Sequence, residues 1–149
     1  MAMTREGFTD SERPAHLVST RVRFSDLDGL GHLNNAVFHH FLEEARCSFF
    51  EENDLSDMAG GPKSLPIILA RTEIDFLSQV NFGEKVACRM QVAQVGTKSF
   101  DTVYDLFDSE KTLVARARAV CVWFDHELQK SVPVPKSVIP ILNKISFEN

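Results

Sequence analysis

The sequence has little cysteine, tryptophan and tyrosine, and each shortage limits what the protein can be. Among 149 residues there are three Cys, one Trp and one Tyr, but 12 Phe. Cys47, Cys88 and Cys121 are odd in number and fit no metal-ligand spacing, which favours reduced thiols in a cytoplasmic protein. Because Phe adds buried area without a polar atom, its excess predicts a Phe-rich apolar interior or interface.

The sequence also lacks a basic excess and long apolar runs. Lys and Arg number 16 against 21 Asp and Glu, which gives a net charge of −5 at pH 7. An acidic protein does not attract phosphate backbones, so we expect no nucleic-acid partner, although a small basic pocket for one anionic ligand stays possible. No apolar run is as long as a membrane span, and the N-terminal residues lack the apolar core of a secretory signal. We therefore expect a cytoplasmic domain without a membrane span.

Hydrophobic patterning predicts one domain with one long helix. Residues 1–15 are polar and without period, which predicts a flexible N-terminal arm before a domain of residues 16–149. Apolar residues alternate over 18–24, which predicts a strand, and helical spacing predicts a helix over 35–52. Later strands are predicted at 68–76, 86–92, 100–106 and 115–123, and a short strand or helix at 138–145.

This order of elements predicts an α+β fold. One strand, one helix and an antiparallel meander of four strands would place the helix on one face of a single sheet. Such a sheet leaves an edge and a face uncovered. We therefore expect the protein to form a dimer.

The densest polar cluster lies between the first strand and the helix. Its members are Asp26, Asp28, Gly29, Gly31, His32, Asn34 and Asn35. Free backbone N–H groups at a helix start can bind an anion or a developing oxyanion. A carboxylate at Asp28 could act there as a general base toward water or as a nucleophile. The alternative is an Asx turn followed by a helix N-cap, with no catalytic role.

The string DLDGLGHLNNAVFHHFLEEAR resembles the signature of hotdog-fold acyl thioesterases of the 4-hydroxybenzoyl-CoA thioesterase-like group. Members show Asp-x-Asp-x-x-Gly-His-x-Asn-Asn, or a close variant, and then an aromatic residue and a helix with Glu and Arg. The similarity extends over residues 17–135. It implies a single antiparallel sheet wrapped around one long central helix, and hydrolysis of acyl-CoA or acyl-carrier-protein thioesters. It also implies no cofactor apart from coenzyme A within the substrate, and a homodimer or dimer of dimers with active sites between subunits.

The resemblance also assigns roles to residues. Asp28 takes the place of the family's catalytic carboxylate, and Asn35 that of the residue whose backbone N–H polarises the thioester carbonyl. His32 matches a histidine of the related plant acyl-carrier-protein thioesterases, while Leu30 stands where their pattern has Asn. Asp26 is expected to position the loop.

Other residues are candidates for binding the substrate. Phe76 is expected to line an apolar acyl or aryl pocket. Lys98 and Ser99, in a predicted hairpin turn, are candidates for contacting the phosphates of coenzyme A.

Several alternatives stay open from the sequence. A catalytic Glu could lie on the helix at Glu43 or Glu44. His40 with Glu44 could serve a hotdog dehydratase or isomerase, and a non-catalytic module that binds acyl thioesters could keep the same fold. His39 and Glu43 have the spacing of a metal pair, but no third ligand is suggested, so we expect no metal site.

Overall fold

A computed structural model describes residues 14–56 and 65–146, so nearly all of the predicted arm at 1–15 lies outside the described residues. The strands are β1 (His16–Arg21), β2 (Ile67–Phe76), β3 (Lys85–Val95), β4 (Ser99–Phe107), β5 (Leu113–Asp125) and β6 (Lys130–Ser131). The helices are α1 (Phe38–Glu52) and the short α2 (Ile139–Asn143), and single 3-10 turns span Phe24–Asp26 and Asn35–Val37. The long helix and the later strands are therefore confirmed.

One antiparallel sheet carries the fold, with the strand order β1-β3-β4-β5-β2 and with β6 paired to the end of β5. The α+β prediction is confirmed, but the predicted four-strand meander is wrong. Only β3, β4 and β5 form a meander, because β2 pairs with β5 and not with β3. β2 is therefore an edge strand of the sheet. After β2, Leu77 N–H still donates to Val114 O of β5 (2.9 Å), and the chain then crosses the end of the sheet to reach β3.

The first strand ends earlier than its alternation predicted. β1 stops at Arg21, and Phe24 lies in a 3-10 turn with 79% of its surface exposed. The cause is local, since the Asp26 carboxylate accepts a hydrogen bond from the Arg23 backbone N–H (2.8 Å) and turns the chain. The apolar Phe24 therefore does not belong to the core face of a strand.

Small residues of β5 lie on the core face of the sheet. Ala115, Ala117 and Ala119 are fully buried on the face toward the helix. Further along, Phe50 of α1 stacks on Phe100 and on Trp123, with ring centroids 6.3 and 6.1 Å apart. This aromatic stack fills the core near the C-terminal end of α1.

The C-terminal segment closes that same end of the core. Val138 and Leu142 are fully buried. Ile145 O accepts a hydrogen bond from Val92 N–H (2.9 Å) on the part of β3 that extends past its pairing with β1. The short helix α2 lies in the region where a strand or helix was predicted. Neither α1 nor α2, among the described residues, has the length and apolar content needed to cross a membrane.

Candidate active site

The polar cluster of the sequence forms a small hairpin loop next to the start of α1. Leu27 bridges to Leu33, and Asp28 N–H donates to His32 O (2.8 Å). Gly31 closes the turn with its N–H on Asp28 O (3.1 Å) and has φ +81°, a backbone region that glycine adopts without strain. A second segment supports the loop, because Leu33 N–H donates to Val80 O (2.8 Å). The loop therefore has backbone contacts on both sides.

Asp28 is half-buried in this loop and one of its oxygens is engaged. Its Oδ1 accepts hydrogen bonds from the N–H groups of Leu30 (2.8 Å) and His32 (3.3 Å). This is the Asx turn of the non-catalytic alternative. The described residues give Oδ2 no such hydrogen bond, so one carboxylate oxygen stays available while the other fixes its orientation.

Asp26 anchors the loop from inside. Its side chain is almost fully buried and accepts hydrogen bonds from Arg23 Nε (3.2 Å) and Nη2 (2.9 Å), while its carbonyl accepts from Asn34 N–H (2.9 Å). The hydrogen bonds from Arg23 hold the pKa of Asp26 below its ordinary value, so this carboxylate stays charged. The predicted positioning role of Asp26 agrees with these contacts.

The helix start follows directly. Asn34 is the N-cap, with its Oδ1 accepting from Ala36 N–H (2.9 Å), and Asn35 opens the 3-10 turn that leads into α1. Because a helix N-terminus carries a partial positive charge, this end of α1 suits a carbonyl oxygen that gains negative charge. Asn35 is exposed at this end of α1.

Two further candidates lie near this end. His32 is held against Asp28 through its backbone, and it bridges to Asn81 on the segment before β3. Phe76, at the end of β2, meets Phe38 at the start of α1, with ring centroids 5.2 Å apart, and is 43% exposed. The structure thus brings Phe76 to the same end of the fold as the Asp28 loop.

Lys98 and Ser99 lie at the opposite end of the sheet. They form the hairpin between β3 and β4, where Trp123 N–H donates to Lys98 O (2.8 Å). The Asp28 loop lies near the start of β3, and the 11 residues of that strand separate the two ends by roughly 30 Å. Within one protomer, Lys98 and Ser99 are therefore not part of the Asp28 site.

The charged residues of α1 that could supply alternatives point outward. His39, His40, Glu43 and Glu44 are all exposed. No group of three or more His, Cys, Asp or Glu side chains within the described ranges could hold a metal ion.

Sequence reasoning missed a polar group inside the core. Arg46 of α1 is 6% exposed, and its Nη1 donates to Tyr104 Oη (3.2 Å), which is joined to Thr102 Oγ1 (2.7 Å). The available signal was the position of Arg46, which continues the apolar helical stripe through Leu42. The single tyrosine of the chain is its partner.

The sequence is similar to a family of thioesterases and to a chloroplast thioesterase. A family model described as the thioesterase-like superfamily matches residues 22–142. The acyl-acyl carrier protein thioesterase ATL3 of the Arabidopsis thaliana chloroplast is 24% identical over 126 residues, which are 83% of this chain and 65% of that protein. The chain thus spans less than two thirds of the length of this relative.

Solved structures show the same fold. A predicted thioesterase from Bacillus stearothermophilus superposes with a TM-score of 0.81 at 21% identity, over 91% of this chain and 99% of that chain. A thioesterase from Thermus thermophilus, complexed with coenzyme A and Zn, superposes with a TM-score of 0.75 at 27% identity, over 87% of this chain and 92% of that chain. Since the family model covers more than half of the sequence and the architecture agrees, this chain has the hotdog fold and belongs to the thioesterase-like superfamily.

Proposed function

We propose that this protein hydrolyses acyl thioesters, with Asp28 as the catalytic carboxylate. The observation that carries the proposal is the position of Asp28. It lies in a loop fixed by backbone hydrogen bonds, seven residues before Asn35, which begins the 3-10 turn that leads into α1. One carboxylate oxygen is held by backbone N–H groups, and the other is left to act on a carbonyl at the helix start. Membership of the thioesterase-like superfamily supports this chemistry.

The proposed reaction divides the work between the helix and the carboxylate. The thioester oxygen accepts hydrogen bonds from backbone N–H groups at the helix start, including that of Asn35. One such donor contributes about 3–4 kcal/mol of transition-state stabilisation in comparable sites. Asp28 either takes a proton from the water that attacks the carbonyl, or attacks the carbonyl itself, expels the thiolate and forms an anhydride that water then hydrolyses. Both routes consume one water and give a free acid and a thiol. We assign His32 to the same site, next to Asp28.

The proposed substrates are thioesters of coenzyme A or of an acyl carrier protein, and no other cofactor is required. The Thermus thermophilus relative is complexed with coenzyme A, and the Arabidopsis relative is an acyl-acyl carrier protein thioesterase, so relatives support both carriers. Phe76 would line the entrance for the acyl group, because it lies half-exposed beside the helix start. The carrier arm would lie outside this entrance.

A homodimer formed through the β2 edge would complete the site. β2 is an edge strand with exposed apolar side chains, among them Ile68 (41%) and Leu69 (42%). Antiparallel pairing of two β2 edges reverses the second sheet, so its Lys98 end would lie beside the Phe76 end of the first. Lys98 and Ser99 of the partner subunit would then reach the carrier phosphates near Asp28, a role that they do not have within one protomer.

The chain offers a matched control for testing Asp28. Asp108 forms the same turn between β4 and β5, with its Oδ1 accepting from Glu110 N–H (2.9 Å) and Thr112 N–H (2.8 Å) and its own N–H donating to Thr112 O (3.0 Å). That turn leads into a strand and not into a helix. This turn borders the start of β3, where Ser109 Oγ accepts from Lys85 N–H (3.0 Å), but it does not precede α1. Asp108→Asn therefore perturbs a turn of the same kind without changing the carboxylate before the helix start.

The test measures thiol release from acyl-CoA substrates of several chain lengths and from an aromatic acyl-CoA. Asp28→Asn and Asp28→Ala should lower kcat by about 100-fold or more, while Asp108→Asn should keep the wild-type rate. Equal rates for Asp28→Asn and the wild type would refute the role of Asp28. Dehydration of a substrate without thiol release would favour the dehydratase alternative, and binding without turnover would favour the non-catalytic module.

The dimer is tested by charging the β2 edge. Ile68→Lys should lower the mass measured by analytical ultracentrifugation from a dimer or larger assembly to a monomer, and it should reduce hydrolysis. Leu17→Lys is the matched control, since Leu17 is 65% exposed on β1, the opposite edge strand of the sheet. A monomeric wild-type protein with full activity would refute the shared site.

A further inference from the structure

A layer of polar groups crosses the core between α1 and the sheet. We call the side chains of Arg46, Tyr104, Thr102 and Thr72 the polar layer. Arg46 Nη1 donates to Tyr104 Oη (3.2 Å), Tyr104 Oη is joined to Thr102 Oγ1 (2.7 Å), and Thr102 Oγ1 lies 3.4 Å from Ala119 O. The groups packed around this layer on the same face of the sheet are apolar. Polar groups at such a place are costly unless their hydrogen bonds are satisfied.

Thr72 places a hydroxyl without a partner at the β2 side of this layer. Its Oγ1 is fully buried and finds no hydrogen-bond partner within the described part of the chain. Strand register puts Thr72 opposite Ala119, and Ala119 opposite Thr102, so the two threonines share one face of the sheet on either side of a small alanine. A buried hydroxyl without a partner has lost its hydrogen bonds to water without replacement, so this one is suited to a bond that a ligand would supply.

Arg46 adds donors at the same level. The described residues place no carboxylate within ion-pair distance of its guanidinium, although the side chain is only 6% exposed. A guanidinium carries five N–H donors and no acceptor. Together with the Thr72 hydroxyl, Arg46 therefore favours an oxygen that accepts hydrogen bonds.

The polar layer lies at a defined depth from the proposed site. Phe38 and Phe76 meet at the site end of the core. Thr72 lies four residues from Phe76 along β2, and Arg46 lies eight residues from Phe38 along α1, which correspond to roughly 13 and 12 Å. The helix and the strand thus give, independently, the same distance between the polar layer and the site end of the core.

The region between the proposed site and the polar layer is apolar and partly exposed. α1 lies closest to β1 and β3, which leaves the inner face of β2 only partly covered. Phe76 is 43% exposed there, and Ile74, between Phe76 and Thr72, is half-buried. Beyond the polar layer, the stack of Phe50 on Phe100 fills the core. An acyl chain that enters beside Phe76 would therefore run along apolar side chains and end at the polar layer.

We propose that the polar layer is the far end of the acyl pocket and selects acyl groups that carry a hydrogen-bond-accepting oxygen at their far end, about 12 Å beyond the contact of Phe38 with Phe76. This inference rests on the proposed thioesterase function. A site built to hydrogen-bond a substrate oxygen discriminates strongly against the analogue that lacks it, because its own polar groups would stay unpaired. A plain alkyl chain of the same length would leave Thr72 and Arg46 without that bond.

The test compares kcat/KM for three acyl-CoA substrates of equal chain length: decanoyl-CoA, ω-hydroxydecanoyl-CoA and β-hydroxydecanoyl-CoA. The ω-hydroxyl can reach the polar layer, whereas the β-hydroxyl stays near the carbonyl. We expect the ω-hydroxy substrate to exceed decanoyl-CoA by about tenfold or more, and the β-hydroxy substrate to show no such gain. The ratio between substrates is read because it does not depend on the active fraction of a preparation.

Two substitutions connect the preference to Thr72. Thr72→Val removes the hydroxyl at nearly constant volume and should bring the ratio to within about threefold of unity, while Thr72→Ser should retain the preference. Thr20→Val, on β1, is the control and should leave the ratio unchanged. Because the isosteric Thr72→Val removes an unpaired polar atom, we expect it to fold.

The outcomes separate this proposal from the proposed function. Equal or better hydrolysis of decanoyl-CoA by the wild type, or an unchanged ratio in Thr72→Val, would overturn the selection by the polar layer and leave thioester hydrolysis standing. No thiol release from any acyl-CoA or acyl-carrier-protein thioester would instead overturn the proposed function.

Discussion

Replacing Tyr104 with Phe should destabilise the protein by more than the loss of one ordinary hydrogen bond. Tyr104 is buried, and its Oη accepts from Arg46 Nη1 at 3.2 Å and is joined to Thr102 Oγ1 at 2.7 Å. Without Oη, the Arg46 N–H loses an acceptor, and Thr102 keeps only its 3.4 Å contact with Ala119 O. A hydrogen bond to a charged group contributes about 1.5–3 kcal/mol and a neutral one about 1 kcal/mol, so we expect a loss of about 2–4 kcal/mol.

Urea unfolding, followed by far-UV circular dichroism, measures this loss as a change in midpoint at constant slope. The informative comparison is a double-mutant cycle with Arg46→Met. Methionine replaces the guanidinium by an apolar side chain of similar length, and exchanging both partners of a buried polar pair for apolar groups is often close to neutral. The double variant Arg46→Met with Tyr104→Phe should therefore be more stable than Tyr104→Phe alone.

Two results would refute this reasoning. A loss below about 0.5 kcal/mol in Tyr104→Phe would mean that the bond from Arg46 contributes nothing net, since surface substitutions already fall in that range. Simple additivity of the two single substitutions would mean that Arg46 and Tyr104 do not interact, because a cycle isolates their coupling.

Two further predictions concern ionisation. Hydrogen bonding from Arg23 holds the pKa of Asp26 below its ordinary value of 3.8, so this stabilisation is complete above that pH and is lost as the pH falls through the folded-state pKa. The difference in unfolding free energy between the wild type and Asp26→Asn should be largest near neutral pH and shrink in acid, and a constant difference in urea titrations would contradict this. Burial raises the pKa of Cys88 to about 12 and of Cys121 to about 11, so iodoacetamide at mildly alkaline pH should modify at most Cys47 in the folded protein and all three thiols in urea. Mass spectrometry counts the adducts, and rapid labelling of the two buried thiols in the native state would show that their burial is wrong.

The elements of the fold were predictable because their signals are local. The stripe over 35–52 predicted one helix, and the structure has a 3-10 turn at Asn35–Val37 that continues into α1 and ends at Glu52. The alternating patterns predicted β2 to β5. The end of β1 was misjudged at Phe24 because one side chain, Asp26, captures the Arg23 backbone and overrides the alternation. The partner of β2 was misjudged as well, since pairing with β5 joins residues 39 to 56 positions apart and periodicity carries no information on that choice.

The candidate site also has a local part, which the sequence predicted, and a long-range part, which it did not. The sequence placed Asp26, Asp28 and the helix start in one short segment, and that segment folds as one unit. The sequence did not predict where Lys98 and Ser99 lie relative to Asp28. The two residues follow the end of β3, whereas the Asp28 loop lies next to the start of that strand. Arg46 was not singled out because its partner Tyr104 lies 58 positions away.

The sequence by itself determined the order of the elements, the clamped loop around Asp28 and the N-cap at Asn34, because each depends on residues within a few positions of one another. Only the tertiary structure decided which strands form the edges of the sheet and at which end of the sheet the Asp28 loop lies. It also decided how Arg46, Tyr104 and Thr102 come together. The physical reason is that strand pairing and core packing are chosen by burial and hydrogen bonding across the whole chain, which no local pattern encodes.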